Sequence, residues 1–78
     1  DAPGDRLDVQ AAQAALRAAL AGLPPDQRET LELVFYHDLS GPEAAEVLGV
    51  APGTVKSRLH RAKALLHALL RLQENADA

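Results

Sequence analysis

Gly53-Thr-Val-Lys-Ser-Arg-Leu-His-Arg-Ala-Lys63 puts four cations, Lys56, Arg58, Arg61 and Lys63, on a segment that follows Gly49-Val-Ala51 and opens with Pro52. Proline at a first helical position gives up an amide hydrogen that has no intrahelical partner there anyway, so Pro52 reads as a helix start. Upstream, Ser40-Gly-Pro-Glu-Ala-Ala-Glu-Val-Leu-Gly49 has the S-x-x-E spacing of a capping box and ends on glycine, which reads as a helix of about two turns. A short helix, a tight turn and a cationic helix have the form of a helix-turn-helix, which points to binding and away from catalysis.

The cationic helix extends to about Leu72 before its periodicity fades, roughly 30 Å at 1.5 Å per residue. Val55, Leu59, Ala62, Leu66, Leu69 and Leu70 fall in one stripe about 100° wide, the width expected of a core-facing helix. Ser57, His60 and Arg61 lie opposite, and Thr54, Lys56, Arg58 and Lys63 lie on the flanks. In the preceding helix Ala44, Ala45, Val47 and Leu48 are the apolar positions, and the small Ala45 lets the cationic helix approach closely.

Two further helices precede this pair. Asp8 is a good N-cap and Gly22 a good C′ residue, and between and beyond them Val9, Ala12, Leu16, Leu20 and Leu23 keep helical spacing. Pro24-Pro25 ends that helix and starts the next, where Asp26 and Glu29 suit the positive end of the helix dipole. Leu31, Val34, Phe35 and Leu39 form the inward stripe of this second helix, which ends near His37 or Asp38 and leaves Tyr36 half exposed. Residues 1–7, with Pro3 and Gly4 among charges, read as a linker, residues 8–72 as the domain, and residues 73–78 as a disordered tail.

Composition agrees with an all-α fold. Alanine and leucine supply 30 of the 78 residues, isoleucine is absent and only two residues are aromatic, a mixture that favours helices by intrinsic propensity. One small domain follows, burying roughly 60% of the surface its unfolded chain exposes. The net charge of −3 conceals segregation. Residues 1–50 carry nine acids and three bases, whereas residues 51–72 carry five bases and no acid, so an anion-binding face sits on an acidic body. Without cysteine there is neither a disulfide framework nor a thiolate metal site, and no apolar run reaches the roughly 20 residues that span a bilayer. The chain begins at Asp1 and lacks methionine, which reads as a piece of a longer protein.

The ordered set Leu23-Pro-Pro-Asp-Gln-Arg-Glu29, Leu39-Ser40, Glu43-Ala-Ala-Glu-Val-Leu-Gly-Val50 and Gly53 to Lys63 resembles region 4 of bacterial RNA polymerase sigma factors, in particular the extracytoplasmic-function group. The likeness covers roughly Leu23 to Leu70. It implies a small four-helix domain with a C-terminal helix-turn-helix and a long recognition helix that binds the promoter minus-35 element as double-stranded DNA. It also implies docking on the flap of the polymerase beta subunit, a preceding region 2 domain, restraint by an anti-sigma factor or an appended domain, and a cytoplasmic setting. Two positions depart from the commonest pattern: Ala44 stands where a larger aliphatic is frequent, and Lys63 where arginine is frequent. Lysine keeps the charge and loses the bidentate fork, which favours phosphate contact over base reading there. A similar Thr-Val-Lys helix occurs in the C-terminal module of response regulators, the second DNA-binding reading; a pure protein-interaction domain, the target of an inhibitor, is the third.

Arginine bidentate to guanine is the commonest specific contact in the major groove, and Arg61, with Ser57 one turn earlier, is the best placed for it. The resemblance also makes Arg61 a base-contacting position. Lys56, Arg58 and Lys63 suit the phosphate rims, Thr54 offers a hydroxyl or amide to a phosphate at the positive helix end, and His60 is a rim residue. Arg58 has a rival role in an ion pair with Glu43 or Glu46. About four phosphate contacts give a log-log salt slope near −3.6. His60 and His67 share a face, but no third ligand is placed for a metal, and no spacing aligns a nucleophile with a base, so neither cofactor, metal, catalytic group nor small-molecule substrate is expected. Leu65, Ala68 and Leu72 give the last helix a second apolar side, either covered by the first helix folding back or open as a protein-docking surface.

Overall fold

The computed structural model describes residues 3–77, with side-chain surroundings for residues 9–73. Four helices follow in order: α1 Pro3–Ala21, α2 Pro25–Phe35, α3 Gly41–Leu48 and α4 Pro52–Asp77. Among the described residues there is no strand, in keeping with the all-α reading. Helix α1 begins ahead of Asp8 and takes in residues 3–7, which the sequence reading assigns to a linker, while α4 runs past Leu72 through most of the expected tail. Residues 1, 2 and 78 lie outside the described residues. Propensity supports the extension of α4, where Gln73, Glu74 and Ala76 contain no breaker, whereas α1 includes the weak helix formers Gly4 and Asp5 behind Pro3, which is tolerated in a first turn. Gln73 Nε2 also donates to the Ala15 carbonyl at 3.0 Å, tying that end of α4 to α1.

The joints between helices are set by local chemistry. Pro25 opens α2 as expected, but α2 stops at Phe35, short of His37, because Asp38 turns into the left-handed region (φ 54°) and the Leu39 amide reaches back to Leu33 O at 3.1 Å. The capping box forms at α3: Ser40 Oγ accepts from the Glu43 amide (3.2 Å) and Glu43 Oε1 accepts from the Ser40 amide (2.9 Å). Gly49 closes α3 with φ 69°, a conformation that costs glycine no Cβ clash. Gly22 directly follows the last residue of α1, as read, with its amide donating to Ala18 O at 3.2 Å and Ala19 O at 3.0 Å, but without a positive φ. Its role is space: a Cβ there would meet Leu69 Cδ1 at 3.2 Å, so Gly22 lets the end of α1 press against α4.

Replacing Ser40 with alanine is expected to cost about 1 kcal/mol, read in a urea melt, because the Glu43 amide loses its acceptor. The hydrogen bond from the Ser40 backbone, with a smaller effect from its side chain, holds the Glu43 carboxyl below the usual glutamate range. A pKa lowered on folding contributes stability that is complete above the unfolded value and fades as pH falls through the folded one. NMR titration of Glu43 should therefore give a lower midpoint in the folded chain than in the same chain unfolded in urea; coincident midpoints would refute the capping interaction.

Helix α4 is the spine, touching α1, α2 and α3, with α2 its most extensive partner. Two apolar clusters lie along it. Ala44, Ala45 and Val55 form one, flanked by Leu33, Val34, Leu39, Leu48 and Val50, and Leu23, Leu31 and Ala62 form the other, flanked by Leu20, Leu65, Leu66 and Leu69. Leu59 packs against both and joins them. Val55 and Ala62 are almost wholly buried, so the inward stripe of α4 lies where its periodicity puts it. Other stripes are narrower than expected. Val47 and Phe35 are 63% and 55% exposed, and on α1 Val9 and Ala12 face solvent while Ala19 is buried, because among the residues of α1 with described side chains the core contacts lie toward its C-terminal end.

Candidate nucleic-acid interface

Helix α4 starts at Pro52, with Ala51 serving its first turn: the Thr54 amide donates to Ala51 O at 2.9 Å and the Val55 amide to the same carbonyl at 3.3 Å. The expected Thr54 amide donor is thus already engaged, and its half-buried side chain leaves only the hydroxyl to offer. From there the burial of Val55 and Ala62, with Leu59 half-buried between them, fixes the rotation of the helix, and Ser57, His60 and Arg61 emerge on the opposite face, all exposed.

Lys56, Ser57, His60, Arg61 and Lys63 line one open hollow of about 610 Å³, floored by Leu59. Thr54 and Arg58 lie outside it. Among the described residues, no carboxylate stands within ion-pairing distance of Lys56, Arg61 or Lys63, so this face keeps its positive charge. Lys63 does have an aromatic neighbour, its Nζ standing 5.2 Å from the Phe35 ring centroid, a contact worth about 0.5–1 kcal/mol at an exposed site.

Arg58 behaves differently. Its Nε lies 3.8 Å from Asp26 Oδ2 on α2, with the two side chains 25% and 56% exposed. The ion pair considered for Arg58 therefore forms, but with Asp26 in place of Glu43 or Glu46. The reason is geometric and chemical: α2 packs closely along α4, Glu43 is engaged by Ser40, and Glu46 is exposed on α3. No spacing rule links Asp26 to Arg58, and the sequence reading used Asp26 only as a dipole partner.

The suggested protein surface splits. Leu65 is half-buried against the cluster of Leu23, Leu31 and Ala62, whereas Ala68 and Leu72 are exposed, so α1 does not cover this side as a whole. Sequence reasoning missed a second apolar concavity, about 230 Å³, lined by Leu16, Leu20, Leu31, Phe35, Tyr36 and Leu66 with Lys63 at its edge. The pair of adjacent aromatics at the end of α2 was its only signal.

A short capped helix, a glycine turn and a long helix with a free cationic face together define a helix-turn-helix DNA-binding domain. Residues 13–66 match the sigma-70 region 4 family, a span that takes in the whole hollow on α4. The chain belongs to that family, as a region 4 domain of the extracytoplasmic-function type. It is 54% identical over 54 residues to "ECF RNA polymerase sigma factor EcfG" of Rhodopseudomonas palustris, covering 69% of this chain and 30% of that protein. With "ECF RNA polymerase sigma factor SigM" of Mycobacterium tuberculosis it shares 46% over 56 residues, 72% of this chain and 29% of the relative. With "RNA polymerase sigma-E factor" of Streptomyces antibioticus the figures are 39% over 70 residues, 90% and 39%. The chain thus spans 29 to 39% of the length of these curated relatives.

Proposed function

We propose that this domain recognises the promoter minus-35 element by laying the outer face of α4 in the major groove, and that it does so while docked on the flap of the RNA polymerase beta subunit, for transcription initiation. The observation that carries the reading is the set Lys56, Ser57, His60, Arg61 and Lys63 on one exposed face of a helix whose rotation the core fixes. Arg61 and Ser57 read base edges, and Lys56, His60, Lys63 and the Thr54 hydroxyl meet the phosphate rims. The flap takes the apolar side of the molecule, through the Leu16–Phe35–Tyr36 concavity or through Ala68 and Leu72. An inhibitory partner or an appended domain competes for that same surface. The reaction chemistry of transcription belongs to the polymerase; this domain contributes binding.

Selection of binding sites from a random duplex pool by the 78-residue chain tests this reading. One enriched motif is the expected result, and a pool that stays random supports the protein-interaction alternative. With Arg58 held by Asp26 and Arg61 turned to the base edges, the two cations Lys56 and Lys63 remain for the phosphate rims. The log-log salt slope on the selected site is then near −1.8, about −0.9 per neutralised phosphate, shallower than the −3.6 that four contacts would give. Fluorescence anisotropy across a salt series measures it.

A further inference from the structure

We propose that Asp26 withholds Arg58 from nucleic-acid phosphates, so that the free domain meets a duplex with one cation fewer than α4 carries; this rests on the DNA-binding reading above. On the helical wheel Arg58 lies about 60° from Arg61, on the flank away from Lys56 and Lys63, where a phosphate rim would run if Arg61 pointed into the groove. At that place the side chain is only 25% exposed, drawn toward α2 with its Nε 3.8 Å from Asp26 Oδ2. The carboxylate offers a guanidinium the same kind of oxygen acceptor that a phosphate offers, and it reaches Arg58 without a second molecule.

Asp26 is well anchored for this role. Its backbone sits in the first turn of α2 behind Pro24 and Pro25, and its carbonyl accepts the hydroxyl of the fully buried Thr30 at 2.7 Å. Its side chain is 56% exposed, so the carboxylate stands at the surface, where its effect on a duplex runs through the Arg58 guanidinium that it engages. An exposed pair of this kind is weak enough to leave the fold intact when broken. Its consequence appears in binding, as a missing counterion-releasing contact.

The test compares salt slopes of four chains on one selected duplex: native, D26N, R58Q and D26N/R58Q. With Asp26 in place, R58Q should match the native slope, because Arg58 supplies no contact to lose. D26N should steepen the slope by about 0.9, so that it loses about threefold more affinity than the native chain between 50 and 200 mM salt. In the R58Q background D26N should change nothing. Asp26→Ser, uncharged and suited to a first helical turn, should reproduce D26N, and melts followed by circular dichroism confirm that each variant is folded. The inference is overturned if D26N and D26S leave the slope unchanged, if R58Q alone makes it shallower, or if the D26N effect persists without Arg58. A native chain that binds no duplex even at low salt removes the DNA-binding reading and this inference together, whereas native binding with an unaltered D26N slope removes only the inference.

Discussion

Ala45→Leu is expected to destabilise the domain by about 1 to 3 kcal/mol, the usual range for overpacking a close-packed site. Ala45 is 3% exposed in the cluster with Ala44 and Val55, and its carbonyl accepts the amides of Gly49 and Val50, the latter at 3.0 Å. The isobutyl side chain of leucine carries three more carbons into this buried cluster, which α3 and α4 can admit only by separating and deforming the turn at Gly49. A chain of 78 residues has a total stability of about 4 to 12 kcal/mol, so the loss is a large fraction of it. Thermal melts should drop by roughly 4–8 °C per kcal/mol. Val47→Ala, on the same helix at a 63% exposed position, serves as the control and should stay within about 0.5 kcal/mol. Equal melts for the two variants would show that α3 and α4 are not in the close contact described.

Arg61→Ala should leave the melt unchanged and weaken binding to the selected duplex by about 1 to 3 kcal/mol, with loss of preference at a single base position. The separation of the two effects follows from exposure: Arg61 stands in the open hollow, and among the described residues it has no carboxylate partner whose loss would disturb the fold. Arg61→Lys refines the test, because lysine keeps the charge and loses the planar fork. It should preserve the salt slope while losing most of the base preference. Equal losses on every duplex variant would remove base reading from Arg61 and leave it a phosphate contact.

Much of the fold was legible because its decisive signals are local. The reciprocal bonds of Ser40 and Glu43, the left-handed Gly49 and the helix start at Pro52 depend on residues within a few positions of one another. The rotation of α4 was equally readable, since a single stripe containing Val55, Leu59 and Ala62 admits one inward direction. That rotation placed Lys56, Ser57, His60, Arg61 and Lys63 together. Contacts that depend on which helix lies beside which were not legible. Arg58 meets Asp26, and Lys63 meets a Phe35 that helical spacing had assigned to the core, only because α2 packs along α4. Val47 and Val9 have the spacing of buried residues but lack a neighbour to bury them, and Gly22 ends α1 as read while also allowing a close approach to Leu69 that no local pattern announces. Helix ends also run beyond the reading: propensity sustains α4 where no strong periodicity announces it, while α1 begins ahead of Asp8 through residues of weak propensity.

Chemical-shift mapping of the isotopically labelled chain, titrated with its selected duplex, tests the central claim most directly. The account predicts that the largest amide perturbations fall on Lys56, Ser57, His60, Arg61 and Lys63, with Leu16, Tyr36 and Val47 nearly unmoved. Perturbations centred on the Leu16–Tyr36 concavity, with the outer face of α4 silent, would contradict it.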